Sequence, residues 1–225
     1  MRRVFATLML VGLAFPLAGV AQHAQHDAKH ETKPQAKQEE KRELPPGWKV
    51  RLDRPGDAST VKFWSMPPGW HGTTGPAAIL YNPDTTAKGQ YRVESESFLF
   101  DPGNRLEGYG IFFGGKNLDK DDQSYSYFLI RRDGKFLVKQ RQGAQTQEIV
   151  TWTEHAAIVK HAGGEKTAKN VLAVEAGADT VNFFVNGQKV TSLPRAQVNT
   201  EGVVGLRINH SINVHVTRLT VTPKK

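Results

Sequence analysis

From Trp48 to the end of the chain, apolar residues recur at every second position in short runs, and Gly, Pro, Asn or Asp breaks each run. A strand presents successive side chains to opposite faces, so this alternation is the signature of sheets buried on one side. No segment repeats its apolar residues at the spacing a helix needs. Strands are expected near 48–52, 60–66, 77–81, 90–100, 107–114, 124–132, 135–142, 146–152, 170–176, 180–186, 188–192, 202–209 and 212–222. That many strands at this spacing define an all-β fold, a sandwich or a barrel. Two turns are explicit. Arg132-Asp133-Gly134-Lys135 and Val185-Asn186-Gly187-Gln188 set Asp-Gly and Asn-Gly between β runs, and these pairs accept the positive φ angles of tight hairpins.

The alternation also assigns faces. In YRVESESFLF, Tyr91, Val93 and Leu99 share one face, while Arg92, Glu94, Glu96 and Phe98 share the other. In SYSYFLIRR, Tyr125, Tyr127, Leu129 and Arg131 oppose Ser124, Ser126, Phe128 and Ile130. A face that mixes aromatics with charges suits a sheet whose other side is buried and whose outer side lines a shallow groove.

Before Trp48 the composition is different. MRRVFATLMLVGLAFPLAGVAQ has two arginines, an apolar run, a Pro and then small residues. This is the layout of a secretory signal peptide, residues 1–21, cut after Ala21. Its apolar run is too short to span a bilayer. No Cys follows it, so a lipoprotein anchor is excluded. Residues 22–46 are polar and hold no large apolar residue before Leu44. Such a segment buries too little surface to offset the cost of ordering, and it is read as a disordered linker. His23, His26 and His30 would share a face if it became helical and could then hold Zn or Cu weakly; a solvated spacer is the simpler reading. Residues 47–225 form the folded domain. The protein is expected to be exported, periplasmic or extracellular, with no membrane span after cleavage.

The chain has no Cys, so its core and not disulfides must hold it. Its formal charge of +8 is spread along the sequence with no basic stripe or reader motif, which argues against nucleic acid as a partner.

Three stretches together resemble a known family: GYGIFFGG, the hairpin SYSYFLIRRDGKFLVKQ, and the hairpin VNFFVNGQKV followed by EGVVGLRINHSINVHVTRLTV. Their order is similar to that of the concanavalin A-like lectin/glucanase superfamily, and most to secreted bacterial domains of the laminin-G-like or keto-disaccharide hydrolase type. The resemblance covers about residues 48–222. It implies a two-sheet antiparallel jelly-roll sandwich, but the fold hosts lectins, glycosidases, lyases and adhesion modules, so function must come from the residues.

Four constellations are candidates. Glu94 and Glu96 point to one face with Cα atoms about 6.5–7 Å apart, the nearest approach to the paired carboxylates of a glycosidase; the superfamily's run continues to a third carboxylate, and here Leu99 stands in that place. The competing reading pairs both with cations on a neighbouring strand. Asn117, Asp119, Asp121 and Asp122 place oxygens in one loop, and the laminin-G resemblance brings in calcium as the ion, against a merely solvated loop. Trp70, in SMPPGWHGTTGP, sits in a Pro/Gly-rich loop where its ring could stack on a sugar or fold back over a sheet edge. Trp48, Trp64 and Trp152 belong to the core. Tyr109, Tyr127, Arg131, Arg207 and Asn209, with His210, could line one concave face and hydrogen-bond hydroxyls or a carboxylate. The leading reading is a non-catalytic module that recognises a glycan or glycoconjugate. The alternative is a hydrolase or lyase using Glu94, Glu96 and His210, and a third is a structural module that packs on another extracytoplasmic protein.

Overall fold

The computed structural model describes residues 42–224 of the 225-residue chain. The expected signal peptide and most of the linker, with His23, His26 and His30, lie outside the described residues. Among the described residues fourteen strands form: β1 (Lys49–Leu52), β2 (Lys62–Ser65), β3 (Trp70–Thr73), β4 (Ala78–Ala87), β5 (Tyr91–Leu99), β6 (Gly108–Lys116), β7 (Ser124–Arg131), β8 (Lys135–Gln142), β9 (Gln145–Glu154), β10 (Ala168–Ala176), β11 (Thr180–Val185), β12 (Gln188–Pro194), β13 (Gly202–Ile208) and β14 (Asn213–Pro223). They make two seven-stranded sheets, ordered β1-β4-β13-β6-β7-β8-β9 and β12-β11-β10-β5-β14-β3-β2. Every pairing that defines the sheets is antiparallel.

The faces fall as the alternation indicates. Tyr91, Val93 and Leu99 of β5 and Phe128 and Ile130 of β7 enter one core between the sheets. Phe183 of β11 bridges it, 6.1 Å from Phe113 and 5.2 Å from Phe128 between ring centroids. Asn186 and Gly187 both take positive φ in the β11–β12 hairpin. In the β7–β8 turn only Gly134 does, because three residues and not two connect the strands.

Strand β3 was not expected. Its four residues follow Pro67, Pro68 and Gly69, a context that reads as loop. Its pairing with β14 places Trp70 opposite Val216, on the core side. Trp70 is half-buried there, 4.8 Å from Trp48 and 6.4 Å from Phe63. The expectation of a loop-borne ring is therefore corrected. So is the core placement of Trp64 and Trp152. Trp64 lies beside His71 on the outer side of the second sheet, and Trp152 packs on the outer face of the first.

A second apolar cluster covers that outer face. Ile79, Tyr81, Phe112, Tyr125, Tyr127, Leu129 and Leu137 come only from the first sheet, and Leu118 tucks in from the β6–β7 connection. Glycines admit the rings: a Cβ on Gly205 would stand 2.4 Å from Phe112, and one on Gly108 2.9 Å from Trp152. This face is the floor of the candidate site.

Candidate functional site

Arg207 of β13 and Arg141 of β8 point outward from the first sheet and are nearly inaccessible, 4% and 5% exposed. Both meet Asp53, which follows β1. Arg207 donates through both terminal nitrogens to the two Asp53 carboxylate oxygens. Arg141 Nη2 lies 3.2 Å from Asp53 Oδ2, and its Nη1 donates to the Gly143 carbonyl at 3.3 Å. Tyrosine rings support both guanidiniums. Arg207 lies 5.3 Å from the Tyr127 ring centre and Arg141 6.0 Å from that of Tyr125. Arg207 also donates to the Tyr125 hydroxyl at 3.4 Å.

Burial raises the Asp53 carboxyl, but the Arg207 hydrogen bonds and the charges of Arg207, Arg141 and His210 outweigh it and hold the group below its ordinary value. Burial alone disfavours charged Arg207, and Asp53 with the two tyrosines reverses this, so its guanidinium stays charged. Burial pushes the Tyr127 phenol up to about 12. The floor is thus a fixed ionic cluster with two cations and one anion. The Nε atoms of both arginines and Oδ1 of Asn209 are buried without a partner.

Above the floor opens a groove of about 910 Å³, bordered by residues 52–57, Tyr127, Lys139, Asn209, His210 and Glu107. A second hollow of about 430 Å³ shares residues 52–56 and Arg141 with it. His210 Nδ1 is 3.7 Å from Glu107 Oε2 at the rim.

The structure brings together Tyr127, Arg207, Asn209 and His210 of the sequence-derived set. It separates the others. Tyr109 points inward, its ring in the inter-sheet core and its hydroxyl accepting from Asn170 Nδ2 at 3.5 Å, because β6 turns Tyr109, Ile111 and Phe113 to one side. Arg131 shares the outer face but stacks on Trp152 at 4.5 Å and pairs with Asp133 at 2.8 Å. Glu94 and Glu96 lie on the outer face of the second sheet, whereas His210 borders a groove on the first. Glu94 pairs with Arg92 at 2.8 Å and Arg218 at 2.7 Å, and Glu96 with Lys169 at 2.8 Å. For Glu94 burial acts upward and the arginines overcome it; for Glu96 the Lys169 hydrogen bond leads, so both carboxyls sit low. The three proposed catalytic groups are not one site. In the β6–β7 connection, Asn117 Nδ2 donates to Asp122 Oδ2 at 2.8 Å, while Asp119 and Asp121 are exposed. Among the described residues no three His, Cys, Asp or Glu groups come together as a metal cage.

Sequence reasoning missed Asp53, Arg141 and Tyr125 as site residues. Asp53 sits in RLDRPG between two arginines that are not its partners, and Arg207 is 154 positions away. The usable signal was parity, which already put Tyr125 beside Tyr127.

No protein-family model matches the chain, and no curated protein matches it in sequence. Solved structures do match. The carbohydrate-binding module CBM66 from Bacillus subtilis superposes with a TM-score of 0.59 at 14% identity, over 78% of this chain and 95% of that one. A Bacillus subtilis protein of unknown function with a galectin-like fold gives 0.55 at 10% identity, over 78% and 89%. A Bacteroides ovatus glycoside hydrolase of family 16, from a mixed-linkage glucan locus, gives 0.52 at 8% identity, over 77% and 94%. The fold is a two-sheet antiparallel sandwich similar to that of concanavalin A-like lectins and glucanases. At these identities the likeness establishes architecture alone.

Proposed function

We propose that the groove on the first sheet binds a carbohydrate outside the cytoplasm and does so without chemistry on it. The observation that carries this reading is the Arg207–Asp53–Arg141 cluster seated on Tyr125 and Tyr127 at the groove floor. Sugar sites rely on a few polar groups fixed in place, and here pairing with Asp53 and the buried rings beneath them immobilise the two guanidiniums. Two guanidiniums facing one carboxylate leave the floor with surplus positive charge. That charge favours a sugar bearing a carboxylate or sulfate over a neutral one. Similarity in fold to a protein described as a carbohydrate-binding module supports the same class of ligand.

A hydrolytic reading would need two available carboxyl groups across a scissile bond. Glu94 and Glu96 are committed to cations on the other sheet, and Asp53 is held by two arginines. A glycan array probed with the protein, with calcium and again with a chelator, tests the proposal. Binding that Lys139→Ala and Asn209→Ala both weaken supports it. Loss with chelator would add the 117–122 loop as a calcium site. Turnover of any bound sugar sinks the non-catalytic reading, and an empty array sinks the proposal.

A further inference from the structure

A different pair of side chains, on the outer face of the second sheet, stands apart from the groove. His71 of β3 and His215 of β14 are direct cross-strand partners. The bond from Thr74 N to Ile212 O, 3.0 Å, marks that rung as hydrogen-bonded. Rungs alternate along an antiparallel ladder, so the His71/His215 rung, three residues on, is non-hydrogen-bonded, the type that brings side chains closest. The two ring centroids are 5.9 Å apart with planes at 34°.

Each ring already uses one nitrogen. His71 Nε2 is 2.7 Å from Asn213 Oδ1, and His215 Nε2 is 3.0 Å from the Pro68 carbonyl oxygen. Both oxygens accept, so both Nε2 atoms carry the proton, and in the neutral rings the lone pair is on Nδ1. Both Nδ1 atoms are buried and have no partner, and His71 itself is only 8% exposed. A buried polar atom without a partner is uncommon; here two occur on cross-strand partners.

We propose that His71 and His215 form a two-imidazole site for a borderline divalent transition metal such as zinc, nickel or copper. Imidazole nitrogens suit these ions. A metal about 2.1 Å from each Nδ1 would hold the two ring centres about 6 Å apart, close to the 5.9 Å observed. The N–H of each ring is fixed by an oxygen, which is how metal-bound histidines are oriented. No third ligating side chain joins the pair among the described residues, so water or a ligand from outside the chain fills the remaining positions. The site is independent of the groove, which lies on the other sheet.

The test is titration calorimetry of the full chain with zinc chloride and with nickel chloride. The chain carries His23→Gln, His26→Gln and His30→Gln so that the linker cannot bind. One metal per chain is expected. His215→Gln and His71→Gln should each abolish it, Asn213→Ala should weaken it about tenfold through loss of orientation, and His210→Gln should leave it unchanged. Because His71 is buried and its variant could misfold, the half-buried His215 supplies the decisive one. Metal should raise the Tm of the parent and not that of His215→Gln. With copper, electron paramagnetic resonance should report two coordinated nitrogens. Absence of binding in the parent, or undiminished binding in His215→Gln, overturns the proposal.

Discussion

The outer faces of the two sheets use the same side-chain types to opposite ends. On the second sheet, Glu94, Glu96 and Glu175 meet Arg92, Arg218, Lys169 and Lys224 in a ladder whose outer cations reach water, with Lys169 53% and Arg218 45% exposed. Such pairs hold charges that water would hold almost as well. On the first sheet, Arg207 and Arg141 are nearly sealed and share Asp53 over tyrosine rings. There the partner replaces water, so removing one member strands the other. Carboxylates close together in sequence therefore marked a solvated surface, while the functional candidate assembled from groups far apart in the chain.

Several substitutions would break or sharpen this contrast. Arg207→Ala should cost about 3–5 kcal/mol in urea unfolding, because Asp53 and Arg141 lose their arrangement. A loss under about 1 kcal/mol would place the cluster with the surface pairs. Gly205→Ala should cost about 1–3 kcal/mol, since the new methyl would meet Phe112 and the Leu80 carbonyl; an unchanged Tm would mean that the ring can move aside. The pH dependence separates the faces through salt. Asp53 is held below its unfolded value, so its contribution is complete above that value and is lost as pH falls through the lowered folded value. Glu94 and Glu96 have the same sign. In high salt the acid limb owed to the exposed ladder should flatten, while the difference between the parent and Asp53→Asn should persist. A difference that disappears with salt would refute the sealed character of the cluster. Glu94→Gln should be the mildest, at about 0.5 kcal/mol, with sugar binding intact; lost binding would move the site to the second sheet.

The two-sheet architecture was legible because period-two alternation and the Asn-Gly and Asp-Gly turns act locally. Parity alone placed Tyr125 with Tyr127 and Glu94 with Glu96. Tyr109 went astray because β6 is apolar or glycine on both faces from Gly108 to Gly115, so its sequence offers no contrast between inside and outside. Trp70 went astray because β3 has four residues and takes its strand character from β14, far along the chain. Asp53 could not be paired with Arg207 by any local rule, since their meeting depends on β1 and β13 flanking β4.

That dependence on distant strands has a temporal side. β14 lies between β5 and β3, and it alone joins the β2–β3 hairpin to the rest of the second sheet. During synthesis, residues 62–73 are made early but have no strand partner beyond each other until residues 213–223 exist. Contacts of such long sequence separation form slowly. The nascent sandwich therefore waits with an open seam beside β5, and the last strand closes it like a keystone.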